Sequence, residues 1–315
     1  MRPVKCRFTC FVSCLVSILS SCIVVSAQEI RIDTKLAVFE VTVRNDRGEP
    51  ASGLTANDFR LYENGNLRQI DFFEPVRNGR RPLSIVFALD VSGSMSVQEI
   101  ERLKSAVSAF AEKLAGYDAY FSIISFGMNV RSELSFTNRR NKLENALDRL
   151  GRNRNGLSTH TYDALDFAIR QIGKKSMPWR TKTIPRRAII VITDGFPVGD
   201  LTTPKLVIER AHAANTSIFN IILPSFLRTE SGTKRVPTPL EISGVARATG
   251  GCTFVAGTKR PDEILAEIAE EITGSYAVAF YPDQNAEIAR EQHVRIESVH
   301  GFIVKQNRDT YMLAK

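Results

Sequence analysis

Cysteine is nearly missing from the body of this sequence: Cys6, Cys10, Cys14 and Cys22 fall within the first 27 residues, and only Cys252 lies beyond them. One cysteine closes no internal disulfide, so a disulfide scaffold is excluded and stability has to come from an ordinary core. Cys252, next to Thr253, Phe254 and Val255, reads as buried strand filler rather than a reactive thiol. Long apolar runs are as scarce. The run at residues 11–25 is shorter than the roughly 20 apolar residues of a spanning helix, which excludes the multi-pass membrane classes. There is no Gly-x-x-x-x-Gly-Lys loop and no dinucleotide glycine fingerprint, which argues against a nucleotide-driven enzyme. Internal repeats and low-complexity stretches are also missing.

What is there suits a globular protein. Of 315 residues, 43% are hydrophobic and 24% charged, enough apolar material for one large domain or two modest ones. Arg2, Lys5 and Arg7 are the only charges in the first 27 residues, so without them the formal net charge falls from +8 to +5. A basic start, the apolar run and Val25-Ser26-Ala27 before Gln28 are signal-peptide grammar. Residues 1–27 are therefore expected to be a removable leader, with export to the periplasm, the cell surface or the medium and no membrane span once it is gone. An uncleaved anchor is one alternative. A lipoprotein acylated at Cys22 of Leu19-Ser20-Ser21-Cys22 is another, ranked lower because Ile23-Val24-Val25 prolongs the apolar run.

From residue 83 to 255, short apolar runs alternate with amphipathic segments, the pattern of strands joined by crossover helices in a mostly parallel sheet. The runs lie at 83–89, 120–126, 188–193, 217–223 and 252–255. Ile100, Leu103, Val107, Phe110 and Leu114 make one helix face. Ala164, Leu165, Ala168, Ile169 and Ile172 make a second, and Ile264, Leu265, Ile268 and Ile272 a third, after Pro261. Residues 130–136 follow the second run through Gly127-Met128-Asn129 and predict a hairpin partner at the sheet edge.

The flanks read as β. Ala37, Phe39, Val41 and Val43 alternate with Val38, Glu40, Thr42 and Arg44, predicting a strand with one buried face. Asn64-Gly65 predicts a hairpin turn between strands at 59–62 and 67–73. Further strands are expected at 276–281, 293–299 and 302–305. Each flank is too small for its own core, so residues 28–80 and 276–315 are expected to pack together as one accessory β unit beside an α/β domain over 81–275.

Chemistry concentrates at the carboxyl ends of the core strands, where ligands of open α/β sheets bind. Asp90, Ser92 and Ser94 offer hard oxygens at alternate positions, and Gly93 lets the loop bend so that they converge. Asp194, followed by Gly195, ends another strand at the same edge, and Ser158-Thr159 offers a further hydroxyl before a helix. Two carboxylates and three hydroxyls make a hard-cation site of low charge, suited to Mg²⁺ that keeps water or accepts an external oxygen.

Asp90-x-Ser92-x-Ser94, then Thr159, then Asp194-Gly195, within the words Val91-Ser92-Gly93-Ser94-Met95, Tyr162-Asp163-Ala164-Leu165 and Val191-Ile192-Thr193-Asp194-Gly195, resemble the metal-ion-dependent adhesion site of von Willebrand factor type A domains. The likeness spans roughly residues 83–275. It implies a Rossmann-like, doubly wound sheet and a non-enzymatic, metal-dependent adhesion or protein-interaction module. In that family Ser92, Ser94 and Thr159 would be hydroxyl ligands of Mg²⁺ (or Mn²⁺ or Ca²⁺), with Asp90 and Asp194 direct or water-bridged. An Asp or Glu carboxylate of a protein partner would complete the shell. Leu157-Ser158 stands where relatives often have two glycines. The words Gly53-Leu54-Thr55-Ala56-Asn57-Asp58-Phe59, Tyr62-Glu63-Asn64-Gly65, Ser275-Tyr276 and Phe280-Tyr281-Pro282 are similar to exported bacterial VWFA-related proteins of the acidobacterial type.

Plainer readings stand beside these. Asp90, Ser92 and Thr159 taken singly are helix caps, and Asp194-Gly195 is an ordinary turn. A site holding metal for stability alone is the main alternative function. Ser92, Asp194 and His212 follow the chain order of a hydrolase triad, but Asp90 and Ser94 stand where a nucleophile elbow needs glycines, and His212 lies among alanines. His160, beside Thr159, is either a ligand contact or a loop histidine without a role. Arg139, Arg140, Arg149, Arg152 and Arg154 read as a solvated charged face rather than a docking site, and no nucleic-acid partner is expected. Intact mass of the exported chain is expected to place its N-terminus at Gln28; a diacylated Cys22 would replace that reading with the lipoprotein one.

Overall fold

The computed structural model describes residues 36–312 apart from 78–80, 94–95, 151–155, 157, 176–182, 224–225, 230–231, 258 and 284–289. The expected leader with its Cys22, together with Ser94, Met95, Arg152, Arg154 and Leu157, lies outside the described residues. Four strands come first: β1 (Ala37–Arg44), β2 (Phe59–Glu63), β3 (Asn66–Arg68) and β4 (Phe72–Pro75). Next are β5 (Leu83–Asp90), α1 (Val97–Lys113), β6 (Ala119–Phe126), β7 (Arg131–Thr137), α2 (Arg140–Arg149), α3 (Thr161–Lys175), β8 (Arg186–Thr193), α4 (Pro204–Ala213) and β9 (Thr216–Ile222). A hairpin, β10 (Phe226–Thr229) and β11 (Gly232–Arg235), leads to short α5 (Pro239–Ile242) and α6 (Val245–Ala248), then β12 (Thr253–Val255) and α7 (Pro261–Thr273). The last strands are β13 (Ser275–Phe280), β14 (Glu291–Ser298), β15 (Ile303–Gln306) and β16 (Thr310–Met312).

All eight residues of β5 are buried, because both faces of the sheet are covered by helices. Ile85, Phe87 and Leu89 join α1, α2 and α7 on one side, through Val107, Phe110, Leu147 and Ile268. Val86 and Ala88 join α3, α4 and the short α5 and α6 on the other, through Leu165, Val207, Leu240 and Val245. The six-stranded sheet has the order β12-β9-β8-β5-β6-β7, parallel except for β7 at its edge. The chain first moves from β5 to β6 and later returns past it to β8. The switch point of the doubly wound sheet therefore lies at β5, between the carboxyl ends of β5 and β8. Ser96 and Glu99 start α1 with a reciprocal capping box, Glu99 N to Ser96 Oγ at 3.2 Å and Ser96 N to Glu99 Oε2 at 2.8 Å.

Both ends of the described chain build the accessory β unit. Its two four-stranded sheets have the orders β15-β1-β13-β4 and β16-β14-β2-β3, each mixing strands from the two flanks. Their inner faces share one core, with Phe39 stacked on Phe280 and Tyr311 edge-on to both, and Phe59, Phe73 and Tyr276 clustered nearby. Burying each such side chain contributes about 1.5–3 kcal/mol.

Two sequence expectations about the N-terminal flank change. The expected strand at 67–73 is divided: β3 follows the Asn64-Gly65 turn (φ 49° and 84°) in one sheet, whereas β4 pairs with β13 in the other. Glu40, expected on the exposed face of β1, is buried at 3% exposure. Its carboxylate meets Arg81 in a bidentate pair at 2.5 and 3.1 Å, and Arg186 Nε lies 3.7 Å away. Arg81 and Arg186 are 0% and 2% exposed. They stand at the amino-terminal ends of β5 and β8, so this cluster seats the accessory unit against the core sheet. Glu40→Ala would leave two guanidiniums buried without their anion and is expected to cost about 3–5 kcal/mol. Urea denaturation measures this against Glu209→Ala, whose exposed Lys205 pair at 3.9 Å should be worth no more than about 1 kcal/mol.

Candidate metal centre

Asp90 ends β5 fully buried, and two contacts hold its carboxylate. Oδ1 accepts the Ser92 amide at 2.9 Å, bending the loop back, and Oδ2 accepts the Thr193 hydroxyl at 2.6 Å, joining the end of β5 to the end of β8. Thr193 Oγ1 also accepts the Gly195 amide at 3.1 Å, and Asp194 Oδ1 accepts the Phe196 amide at 3.2 Å. Gly195 has φ +82°, and a Cβ there would collide with Thr238, so this tight turn requires glycine.

Backbone bonds draw the other loops to the same place. Gly93 N donates to Gly156 O at 2.9 Å, His160 N to Gly127 O at 3.0 Å, and Val198 N to Thr159 O at 2.9 Å. Asp90, Ser92, Thr159 and Asp194 thus stand on loops joined at one sheet edge, over the switch point. Ser92 is 1% and Thr159 5% exposed, whereas Asp194 is half-buried. Burial pushes the Asp90 carboxyl above its ordinary range and the nearby Asp194 charge adds to this, opposed by the bonds from Ser92 and Thr193. Among the described residues no lysine, arginine or histidine forms an ion pair with Asp90 or Asp194. Two neighbouring carboxylates without a cationic partner, set among hydroxyls, fit a hard divalent cation.

The other flagged residues divide. His212 Nε2 is 2.7 Å from Ala248 O, and burial pulls the imidazole below its ordinary value, so it is a neutral donor tying α4 to α6. Cys252 is half-buried rather than buried and precedes β12; Lys305 Nζ lies 3.1 Å from its Sγ, and burial pushes the thiol up. Arg139, Arg140 and Arg149 are exposed, and Arg140 pairs with Glu144 along α2 at 2.8 Å. His160 Nδ1 lies 3.2 Å from Asp163 Oδ2. Asp163 also accepts the Leu201 and Thr202 amides at 3.1 and 2.9 Å, fastening α3 to the loop after β8. Sequence reasoning gave Asp163 no role and did not single out Asp200, because the loop contact between them spans 37 residues.

An open α/β sheet with carboxylates and hydroxyls at its switch point defines a ligand-binding class of domain. Residues 84–235 match the family model of the von Willebrand factor type A domain, and the chain carries such a domain there. No curated protein sequence matches the chain. Among solved structures it is similar to an aerotolerance-related membrane protein from Bacteroides fragilis, at 17% identity over 60% of this chain and 98% of that one, with TM-score 0.47. BatB from Bacteroides thetaiotaomicron is similar at 19% identity over 61% and 97%, with TM-score 0.45. Proximal thread matrix protein 1 from the mussel byssus, with a zinc-occupied MIDAS motif, is similar at 13% over 64% and 48%, with TM-score 0.48.

Thr193→Val deprives the buried Asp90 Oδ2 of its donor and is expected to destabilise the chain by about 1–3 kcal/mol. Thr193→Ser should recover most of that loss. Urea midpoints of the two variants measure it.

Proposed function

We propose that the chain is an exported, non-enzymatic adhesion or protein-interaction module that captures a partner carboxylate at a Mg²⁺ site. Asp90, Ser92, Ser94, Thr159 and Asp194 would hold Mg²⁺, or Mn²⁺ or Ca²⁺, and the ion would supply an open position for an Asp or Glu oxygen of the partner. The observation that carries this reading is the pair of neighbouring carboxylates, Asp90 and Asp194, at the switch point, with no cationic residue among the described ones paired to either. Von Willebrand A domains are interaction modules, and no helix among the described residues is long and apolar enough to cross a membrane. The loop that Asp194 opens also exposes Phe196, Val198 and Leu201, the last at 93%, and such grouped apolar residues suit a protein surface.

Asp90 is locked by Ser92 and Thr193, so it would keep its position whether or not a partner is present. Ser92 and Thr159, almost buried, would exclude water from all but the outer side of the site.

Asp90→Ala is expected to abolish Mg²⁺ and Mn²⁺ binding in isothermal titration, because the ion loses its main charge partner. Unchanged affinity would overturn the ligand assignment. A pull-down from envelope extract, with and without EDTA, should release a protein partner on chelation. Metal-dependent thermal stability with no EDTA-sensitive partner would favour the scaffold reading instead.

A further inference from the structure

We propose that His160, Asp163 and Asp200 form a second cation site, using none of the ligands of the first and taking a borderline divalent ion such as Zn²⁺. One ligand atom from each of the three lies within 4.8 Å of the other two. His160 Nδ1 and Asp163 Oδ2 are 3.2 Å apart. An ion with tetrahedral bonds of about 2.0–2.1 Å spaces its ligands about 3.4 Å apart, so this pair already has the required separation.

The independent observation is at Asp200. Its Oδ1 accepts the Asp163 amide at 2.8 Å, but Oδ2 is buried and has no hydrogen-bond partner. Buried carboxylate oxygens are almost always satisfied, and an orphan one requires a reason. A cation between Asp200, Asp163 and His160 supplies it. Among the described residues no lysine or arginine forms an ion pair with Asp163 or Asp200, and His160, 3.2 Å from Asp163, balances a carboxylate charge only when it is protonated.

The frame around the cluster is set before any ion arrives. Asp163 is held by the Leu201 and Thr202 amides, and the chain beside it by the bond from Val198 N to Thr159 O. Gly199 has φ +89°, and a Cβ there would lie 2.9 Å from His160 Nε2, so the glycine lets the imidazole rest on the loop backbone. That leaves Nδ1 on the Asp163 side. One imidazole with two carboxylates favours Zn²⁺ over Mg²⁺, which prefers oxygen alone.

The test is zinc stoichiometry of the purified full chain by equilibrium dialysis and elemental analysis, with His160→Ala and Asp200→Asn compared with the parent. The leader cysteines are common to every chain and cancel in the difference. Each variant is expected to lose one equivalent, and the double variant the same single equivalent. Asp90→Ala, which removes the first site, should still hold the equivalent that His160→Ala removes. Co²⁺ should show a tetrahedral absorption in the parent that His160→Ala loses, with near-UV circular dichroism unchanged as a check on folding. Unchanged zinc in His160→Ala and Asp200→Asn, or loss of that same equivalent in Asp90→Ala, would overturn the proposal.

Discussion

One carboxylate in β1 holds two guanidiniums out of water, and the joining of the two structural units rests on that cluster. Taking an ion out of water costs several kcal/mol even after relaxation, which a buried pair recovers only with good geometry and further hydrogen bonds. Arg81 adds a bond from Nε to Ile184 O at 2.8 Å, and Arg186 donates to Ser275, Ser217 and the Arg187 carbonyl at 2.9–3.1 Å. Asn307 bonds both the amide and the carbonyl of Glu40, each at 2.9 Å, so the C-terminal flank fixes the backbone that presents the anion. Arg308 lies over the Phe39 ring and donates to His212 O and Val38 O, and burial lowers it to about 10. The accessory unit thus supplies the counter-charge that lets the core bury Arg81 and Arg186.

The parts of the fold legible in the sequence are those where one period dominates. The apolar runs at β5, β6, β8 and β9 and the stripes on α1, α3 and α7 each bury a face wide enough to be written into composition. Where neighbours decide, the pattern is silent. Glu40 sits in a period-2 strand on what reads as the wet face, and Arg81, Arg186 and the Asn215 amide, brought close by the fold, make its burial tolerable. β3 and β4 look like one run because both are apolar, but their division between two sheets is set by which strands of the distant C-terminal flank pair with them. α2 escapes the pattern for a different reason: five of its ten residues are charged, and its buried face is only Leu143, Ala146 and Leu147.

The first candidate site was legible because its residues cluster in short words at strand ends, where an α/β sheet always brings them to one edge. Asp90 and Ser92 are two residues apart, and Asp194 directly follows a strand that reads unmistakably as core. His160, Asp163 and Asp200 were not legible as a group. Asp163 reads as an ordinary first-turn acid of α3, and Asp200 as a loop residue. The Thr159 to Val198 bridge, with the bonds between Asp163 and residues 200–202, brings them together, and all of these are contacts between segments far apart in the chain.

β5 and β8 are pinned at both ends, and this is what relates the accessory unit to the site. At their amino ends Glu40 spans Arg81 and Arg186; at their carboxyl ends the Asp90 carboxylate holds the Thr193 hydroxyl. Nine residues of strand separate Arg81 from Asp90, about 30 Å at roughly 3.3 Å per residue. At that distance and an effective dielectric near 20, a unit charge contributes only about 0.5 kcal/mol, so the Glu40 cluster does not act on Asp90 through its field. It acts through register. Leu83 pairs with Arg186 and Leu89 with Ile192, and a slip of one residue would turn Ile85, Phe87 and Leu89 away from α1 and part Asp90 from Thr193. The charges at the foot of the sheet therefore set the position of the oxygens at its top.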